Sequence, residues 1–304
     1  MSRVKNQHYV PRFYLKNFCK KPEHIAVFDK VTQKSYYTSI SNVANEKYFY
    51  DDENVDKATQ VNQFLEKYFH PLENRIAILL KDLIGSFDKN EFICLDQDSR
   101  IDLSLYLIYQ FARTKEYREQ LNQTMKIITQ TVTDEFVKQQ GGNPEDFKIV
   151  TDDKILQVEM LLNEDTIDRF AEIIYNHIWI FLVNESKISF VTSDHPFVKK
   201  KNIYHPVRSF TGLRSPGIEI AFPLNPKYCL SLAERTFFKF FESFDGKLMP
   251  ASYDNVIHYN SLQIINSYRF VYSNDNEFSL AKKIVNEEPE ITNPLRSRIG
   301  VNKY

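Results

Sequence analysis

The chain has 304 residues, with 24 Phe and 18 Tyr against a single Trp and only 7 Gly, and 39 basic side chains against 40 acidic ones. That length allows one large domain or two lobes, burying about three quarters of the unfolded surface. The near-zero net charge excludes a protein that coats nucleic acid non-specifically, and the scarce glycines, with no G-x-G-x-x-G or G-K-[ST] string, exclude the common phosphate cradles.

Pro11 suits the first turn of a helix, and Val10, Tyr14 or Leu15 and Phe18 recur at helical spacing, so a short helix is expected up to about Lys20. Residues 24–40 read as a β-hairpin, with Ile25, Val27 and Phe28 before the turn and Ser35-Tyr36-Tyr37-Thr38 after it. Over 54–84 the apolar stripe Phe64, Leu65, Tyr68, Leu72, Ile76, Leu79, Leu80 and Leu83 predicts a helix, kinked at His70-Pro71. A second long helix is expected from Ser99, with Asp102 giving a capping-box-like start, to at least Ile128. Gly141-Gly142-Asn143-Pro144 opens a polar connection over 141–153, and helical periodicity then resumes from Ile155 into His177.

Past Trp179 the pattern changes to strands at 178–183, 189–192, 218–222 and 228–232, with Asn225-Pro226-Lys227 turning the last pair. Residues 252–268 predict a helix, 269–272 a strand, and 285–304 an irregular polar tail. Together these give a single α+β domain over residues 1–304. An N-terminal β-hairpin and long central helices (roughly 54–177) are expected to pack on a mostly antiparallel C-terminal sheet (178–284). Cys19, Cys94 and Cys229 stand far apart without a C-x-x-C pair, which reads as reduced, buried thiols. The start MSRVKNQHYV has no signal-peptide core and the longest apolar run, 178–183, is too short to span a bilayer, so a cytoplasmic protein with no membrane partner is expected.

Four groups of residues carry chemistry. Gln7-His8 sets an amide and an imidazole beside the rigid Pro11; His8 could act as general base or acid, or simply bond to backbone and lock the N-terminus. Gln110, Arg113, Thr114 and Tyr117 fall on one face of the second expected helix, with Arg118 about 140° round from Arg113. A guanidinium on so apolar a helix must be paired, by an Asp or Glu of the fold or by an anionic ligand such as phosphate. Thr192-Ser193-Asp194-His195-Pro196 ends a strand with hydroxyls, a carboxylate and an imidazole, either as a turn device or as part of a site. The stretch 199–217, read as a loop, holds Lys199, Lys200, Lys201, Arg208 and Arg214 without an acid, interleaved with Tyr204, His205 and Phe210, as single-stranded nucleic acid sites do and solvated loops also do. Glu66 and Glu73, seven apart, would share one helix face, with solvent-facing or ion-pairing roles expected.

These pieces in this order resemble the bacterial family of unknown function DUF4238: Gln7-His8-Tyr9-Val10-Pro11 with Tyr14-Leu15 and Phe18, Gln110-Phe-Ala-Arg113 with Arg118, Thr192 to Pro196, Phe222-Pro223-Leu224-Asn225-Pro226, and the segment 260–272. The resemblance covers almost the whole chain. It implies a role in defence against phage rather than a defined activity, and its polar set falls on Gln7, His8, Gln110, Arg113, Arg118, Ser193 and Asp194. The sequence departs from the family pattern at His195 and at Lys115-Glu116.

The expectation is therefore a nuclease-like enzyme acting on nucleic acid or another phosphate-containing substrate. His8 would move the proton, Asp194 would orient it or hold a divalent metal such as Mg²⁺, and Arg113 would neutralise phosphate. Gln7, Gln110, Arg118, Ser193 and Lys199, Lys200 and Lys201 would bind substrate. The alternative is a non-catalytic sensor or binding protein, with a phage component or nucleic acid as partner, whose polar motifs form a structural network; a purely structural protein is the third reading. The sequence names neither substrate nor oligomeric state.

Overall fold

The structure is a computed structural model that describes residues 4–89, 95–205 and 208–299; the expectation for Cys94 lies outside these residues. Strand β1 (Asn6–His8) leads to Pro11, whose φ of −63° N-caps helix α1 (Arg12–Lys16), shorter than expected. The hairpin forms as β2 (His24–Asp29) and β3 (Lys34–Ser39). Strand β4 (Asn45–Lys47) then returns antiparallel to β1, a ladder too short to leave a pattern in the sequence, and this ties the N-terminal segment down.

The single helix expected over 54–84 is three: α2 (Glu53–Thr59), α3 (Phe64–Tyr68) and α4 (His70–Asp88). Gln60 and Gln63 adopt left-handed φ values of 56° and 54°, which no right-handed helix can continue through, and the Asp56 carboxylate caps the N–H groups of Gln63 and Phe64. The helix expected from Ser99 is two, α5 (Gln97–Ala112) and α6 (Lys115–Gln139). Asp96, not Ser99, caps α5, and Asp102 instead forms an ion pair with Arg75. Thr114 caps α6 by accepting the Tyr117 N–H, so Thr114 and Tyr117 leave the helix face that carries Gln110 and Arg113. The helical run after 155 is likewise divided into α7 (Asp153–Leu162) and α8 (Glu164–Tyr175) at Asn163, whose side chain caps α8.

The rest of the chain gives β5 (Ile178–Asn184), β6 (Thr192–Ser193), β7 (Val198–Lys201), β8 (Ile218–Pro223), β9 (Tyr228–Ala233), β10 (Lys247–Ala251), α9 (Tyr253–Asn266), β11 (Phe270–Ser273) and α10 (Ser279–Glu287). The tail expected to be irregular from 285 contains the end of α10 and a 3-10 turn at Pro289–Thr292. The order of the larger sheet is β10-β5-β9-β8-β7, antiparallel except for the parallel β10–β5 pair; the smaller is β3-β2-β11-β6, antiparallel throughout. Besides the short β1 and β4, sequence reasoning missed β7 and β10, the two edges of the larger sheet. Three lysines on one and Pro250 on the other conceal them, and both are devices that keep edges from pairing further.

The fold is thus α+β, with long helices on a mostly antiparallel sheet. The N-terminal hairpin is not a separate layer, because β2 pairs with β11 from the other end of the chain. The main core joins Phe18, Leu103, Leu107, Trp179, Phe181, Phe222 and Leu230, so helices and larger sheet bury one another's apolar faces. Buried Tyr14 fixes α1 to both sheets, its hydroxyl 2.7 Å from Thr192 Oγ1 and 2.7 Å from the Pro223 carbonyl oxygen. His8 itself is held by its pairing with Asn45 in the β1–β4 ladder.

Candidate functional site

A cleft of about 290 Å³ opens between the β1–α1 turn, helices α3 and α4, and the end of α5. Its polar lining is His8, Arg12, Glu66, His70, Glu73, Asn74 and Arg113. Arg113 is the C-cap of α5 and 2 % exposed. Its Nε donates to the Tyr9 carbonyl at 3.1 Å and its Nη1 to Glu73 Oε1 at 2.6 Å, while Nη2 has no hydrogen-bond partner among the described residues. Burial works against its charge, but Glu73 and the phenols of Tyr50 and Tyr106 outweigh burial and hold its pKa above the usual value. The ion-pair partner that the sequence demanded for Arg113 is therefore Glu73.

Two further buried atoms near this guanidinium have no partner among the described residues. Gln110 donates its Nε2 to the Tyr9 carbonyl at 3.0 Å but leaves Oε1 without a donor, and the Tyr106 hydroxyl is also unsatisfied. Tyr106, Gln110 and Arg113 stand at i, i+4 and i+7, one face of α5. Tyr106 takes the place in that row that sequence reasoning gave to Tyr117, and the i, i+4, i+7 spacing was the signal for it.

His8 ends β1 and is half-buried, its Nε2 3.2 Å from the Ile40 carbonyl oxygen. Burial lowers its pKa, Arg12 and Arg113 lower it further, and the Ile40 carbonyl and Glu73 act the other way, which leaves a neutral imidazole at pH 7. Glu66 moves oppositely: burial, with Glu73 and Asp51, pushes its carboxyl up to about 7 against the pull of Arg113. Glu66 and Glu73 do not share a helix face as expected. They lie on α3 and α4, either side of the break, and both line the cleft.

The other sequence-derived residues lie elsewhere. Gln7 is fully buried, donating to Asp51 Oδ1 at 2.5 Å and accepting the Tyr50 N–H at 2.8 Å. Arg118 packs 3.8 Å over the Phe49 ring and bonds Gln157 and the Phe49 carbonyl. Ser193 donates to Gln263 at 2.7 Å. Asp194 accepts the N–H groups of Tyr268, Arg269 and Phe270, each at 2.8 Å, so both its oxygens are committed to the turn between α9 and β11. Burial raises its pKa to about 6, countered by those N–H groups and by Lys30. Lys30 itself is buried, donating to the carbonyls of Ile264 and Ser267. His195 bonds Thr114 at 2.7 Å, and burial lowers its pKa to about 4.

The structure thus brings His8 and Arg113 to one cleft, with Gln110 behind them, and does not bring Asp194 there. Asp194 is not among the residues that line the cleft and its oxygens accept three backbone N–H groups; the carboxylate felt by His8 is Glu73. Among the described residues no group of three or more His, Cys, Asp or Glu could hold a metal ion. Lys199, Lys200 and Lys201 belong to strand β7 rather than to a loop. Lys199 bonds the Thr211 carbonyl and lies 4.8 Å from the Phe111 ring, Lys200 is 3.5 Å from His258 Nε2, and Lys201 is 5.6 Å from the Tyr204 ring. Among the described residues, no helix is long and apolar enough to cross a membrane.

No curated protein and no solved structure matches the chain. The family model DUF4238, described as a protein of unknown function, matches residues 6–277, a span that takes in β1, the Gln110-to-Arg113 turn, the Thr192-to-Pro196 turn and β11. By that match, the chain belongs to the DUF4238 family.

Proposed function

We propose that the cleft is the active site of an enzyme acting on a phosphate-containing substrate. The observation that carries this reading is the Arg113 guanidinium, buried in the cleft wall with Nη2 unpaired beside a neutral imidazole and a carboxyl that titrates near neutrality. An unsatisfied buried donor costs about 1–3 kcal/mol, and an anionic oxygen is the acceptor that best offsets it. In a hydrolysis, neutral His8 takes a proton from the attacking water, protonated Glu66 gives one to the leaving oxygen, and Arg113 neutralises charge on the phosphoryl group. Glu73 keeps Arg113 aimed. The test is to incubate purified protein with RNA, DNA and simple phosphate mono- and diesters, with and without Mg²⁺ or Mn²⁺. Product that His8→Ala, Glu66→Gln and Arg113→Lys each abolish supports the reading; product formed equally well by all three variants defeats it.

A second reading is favoured by one observation: Gln7, Ser193 and Asp194 are each committed to partners inside the fold, which is how a structural network looks. The protein would then be a sensor that binds an anion in the cleft without turning it over, and saturable binding without product would identify it. Under either reading the biological role we propose is defence against phage. Plating efficiency on cells carrying the wild type or Arg113→Ala tests that role.

A further inference from the structure

The His8–Arg113 cleft sets two acids against one buried cation. Glu66 and Glu73 both line it, and Glu73 already pairs with Arg113 at 2.6 Å. That pair leaves the wall near neutral, while Arg113 Nη2 still lacks an acceptor among the described residues. Arg113 acts on Glu66 by charge alone, without a hydrogen bond. The other walls, Pro11, Phe13, Phe69 and Ala77, are apolar. A sphere of 290 Å³ is about 8 Å across, no wider than a Debye length at physiological salt, so every charge in the cleft is felt by the others.

The remaining groups around Glu66 do not alter this balance. On the β1–α1 side His8 is neutral, and exposed Arg12 pairs with Glu23 at 3.1 Å. Exposed His70 opens α4, three residues before Glu73. Asp51 adds to the negative field on Glu66, and burial keeps the neighbouring Tyr50 phenol protonated. An anion at Nη2 would therefore meet an ionised Glu66 as a second like charge, on top of Glu73. A proton on Glu66 removes that repulsion, and burial already favours the protonated carboxyl near neutral pH. The same balance limits the ligand to one negative charge. A phosphodiester carries one, whereas a phosphomonoester carries two above its second pKa of about 6.

We propose that the cleft takes its anion together with a proton on Glu66, and so selects monoanionic phosphodiesters over dianionic phosphomonoesters. This step, which rests on the phosphate reading of the cleft, takes one proton from solvent for each anion bound; no bond of the ester forms or breaks in it. Calorimetric titration of purified protein with dimethyl phosphate and with methyl phosphate at pH 6, 7 and 8 tests it. Dimethyl phosphate binds about tenfold more weakly at pH 8 than at pH 6. Comparing buffers of different ionisation enthalpy at pH 8 gives a proton uptake approaching one per anion. Glu66→Gln loses that uptake and binds at pH 8 nearly as it does at pH 6; His8 and His70 remain in it, so the difference from wild type isolates Glu66. At pH 8 the diester outbinds the monoester by about tenfold or more. A uridine dinucleotide and glycerophosphocholine, run as further ligands, tell a nucleic acid strand from a lipid headgroup as the source of the diester.

The uptake is read on the wild type, so the test does not depend on any variant folding. Saturable binding of dimethyl phosphate without proton uptake, or a monoester bound equally well at pH 8, overturns the proposal and leaves the phosphate reading standing. If neither ester binds, or if folded Arg113→Ala binds both as the wild type does, the reading of the cleft falls and the proposal with it.

Discussion

Glu73 Oε1 sits 2.6 Å from Nη1 of Arg113, across a side-chain exposure of 22 % on the acid and 2 % on the base. The asymmetry matters, because water can reach the carboxylate when its partner is lost but hardly reaches the guanidinium. Glu73→Ala is expected to cost about 3 kcal/mol in urea unfolding, and Arg113→Met clearly less. Equal losses would mean that the guanidinium has another route to solvent.

The raised Glu66 carboxyl fixes a pH dependence. Its folded pKa of about 7 lies above the ordinary carboxyl value, so between about 4.5 and 7 the folded state holds a proton that the unfolded state has released. The stabilisation is complete below the unfolded pKa and is lost as pH rises through 7. Asp194 shifts in the same direction and His195 in the opposing one, so the informative quantity is the difference between wild type and Glu66→Gln. Relative to that variant, the wild type should lose about 3 kcal/mol between pH 4.5 and 7.5. A flat difference curve would place Glu66 in solvent.

Asp194 is expected to stabilise without catalysing. Asp194→Ala strips acceptors from three part-buried N–H groups and removes one of the two carboxylates that favour the buried Lys30 ammonium, a loss of about 3 kcal/mol. Asp194→Asn keeps one acceptor oxygen and should lie between. Normalised to folded protein, ligand binding at the cleft stays at the wild-type level in Asp194→Asn; a well-folded Asp194→Asn protein that no longer binds would restore Asp194 to the site.

Glu116 holds the segment after α10. Its carboxylate receives Arg298 through Nε at 2.8 Å and Nη2 at 2.9 Å, and Arg296 through Nη2 at 3.0 Å, while Gln123 bonds the backbone of both arginines. Glu116→Gln removes the charge and half of this fork. Trypsin is expected to cut after Arg296 and Arg298 several-fold faster in that variant, followed by mass spectrometry, with the rest of the digestion pattern unchanged.

How much of this was legible differs by element. The β2–β3 hairpin, β8–β9 with its Asn225 turn, and α9 follow from alternation, turn residues and helical periodicity, and they stand where expected. The break over 60–63 was not legible, because Gln60 and Gln63 are ordinary helical residues beside an Asp56 cap from the preceding helix; at Thr114 the cap-forming side chain was the only signal. The need for a partner on Arg113 could be read from an apolar helix; that the partner is Glu73 could not, since the bond spans two helices of unrelated register. Asp194 misled for a physical reason. A carboxylate before x-Pro looks the same in sequence whether it faces a ligand or, as here, three backbone donors from 74–76 residues away.

The β2–β11 ladder also sets an order of assembly. Phe28 faces Val271 and Asp29 faces Phe270, partners separated by some 240 positions of chain. At ribosomal speeds the nascent β2–β3 ribbon waits roughly ten to fifty seconds with one flank unpaired before its neighbour emerges. During that interval the Ile25-to-Phe28 flank is an open template for other nascent chains, so yield should depend on chaperone supply and rise on cooling, even though the finished sheet conceals that flank completely.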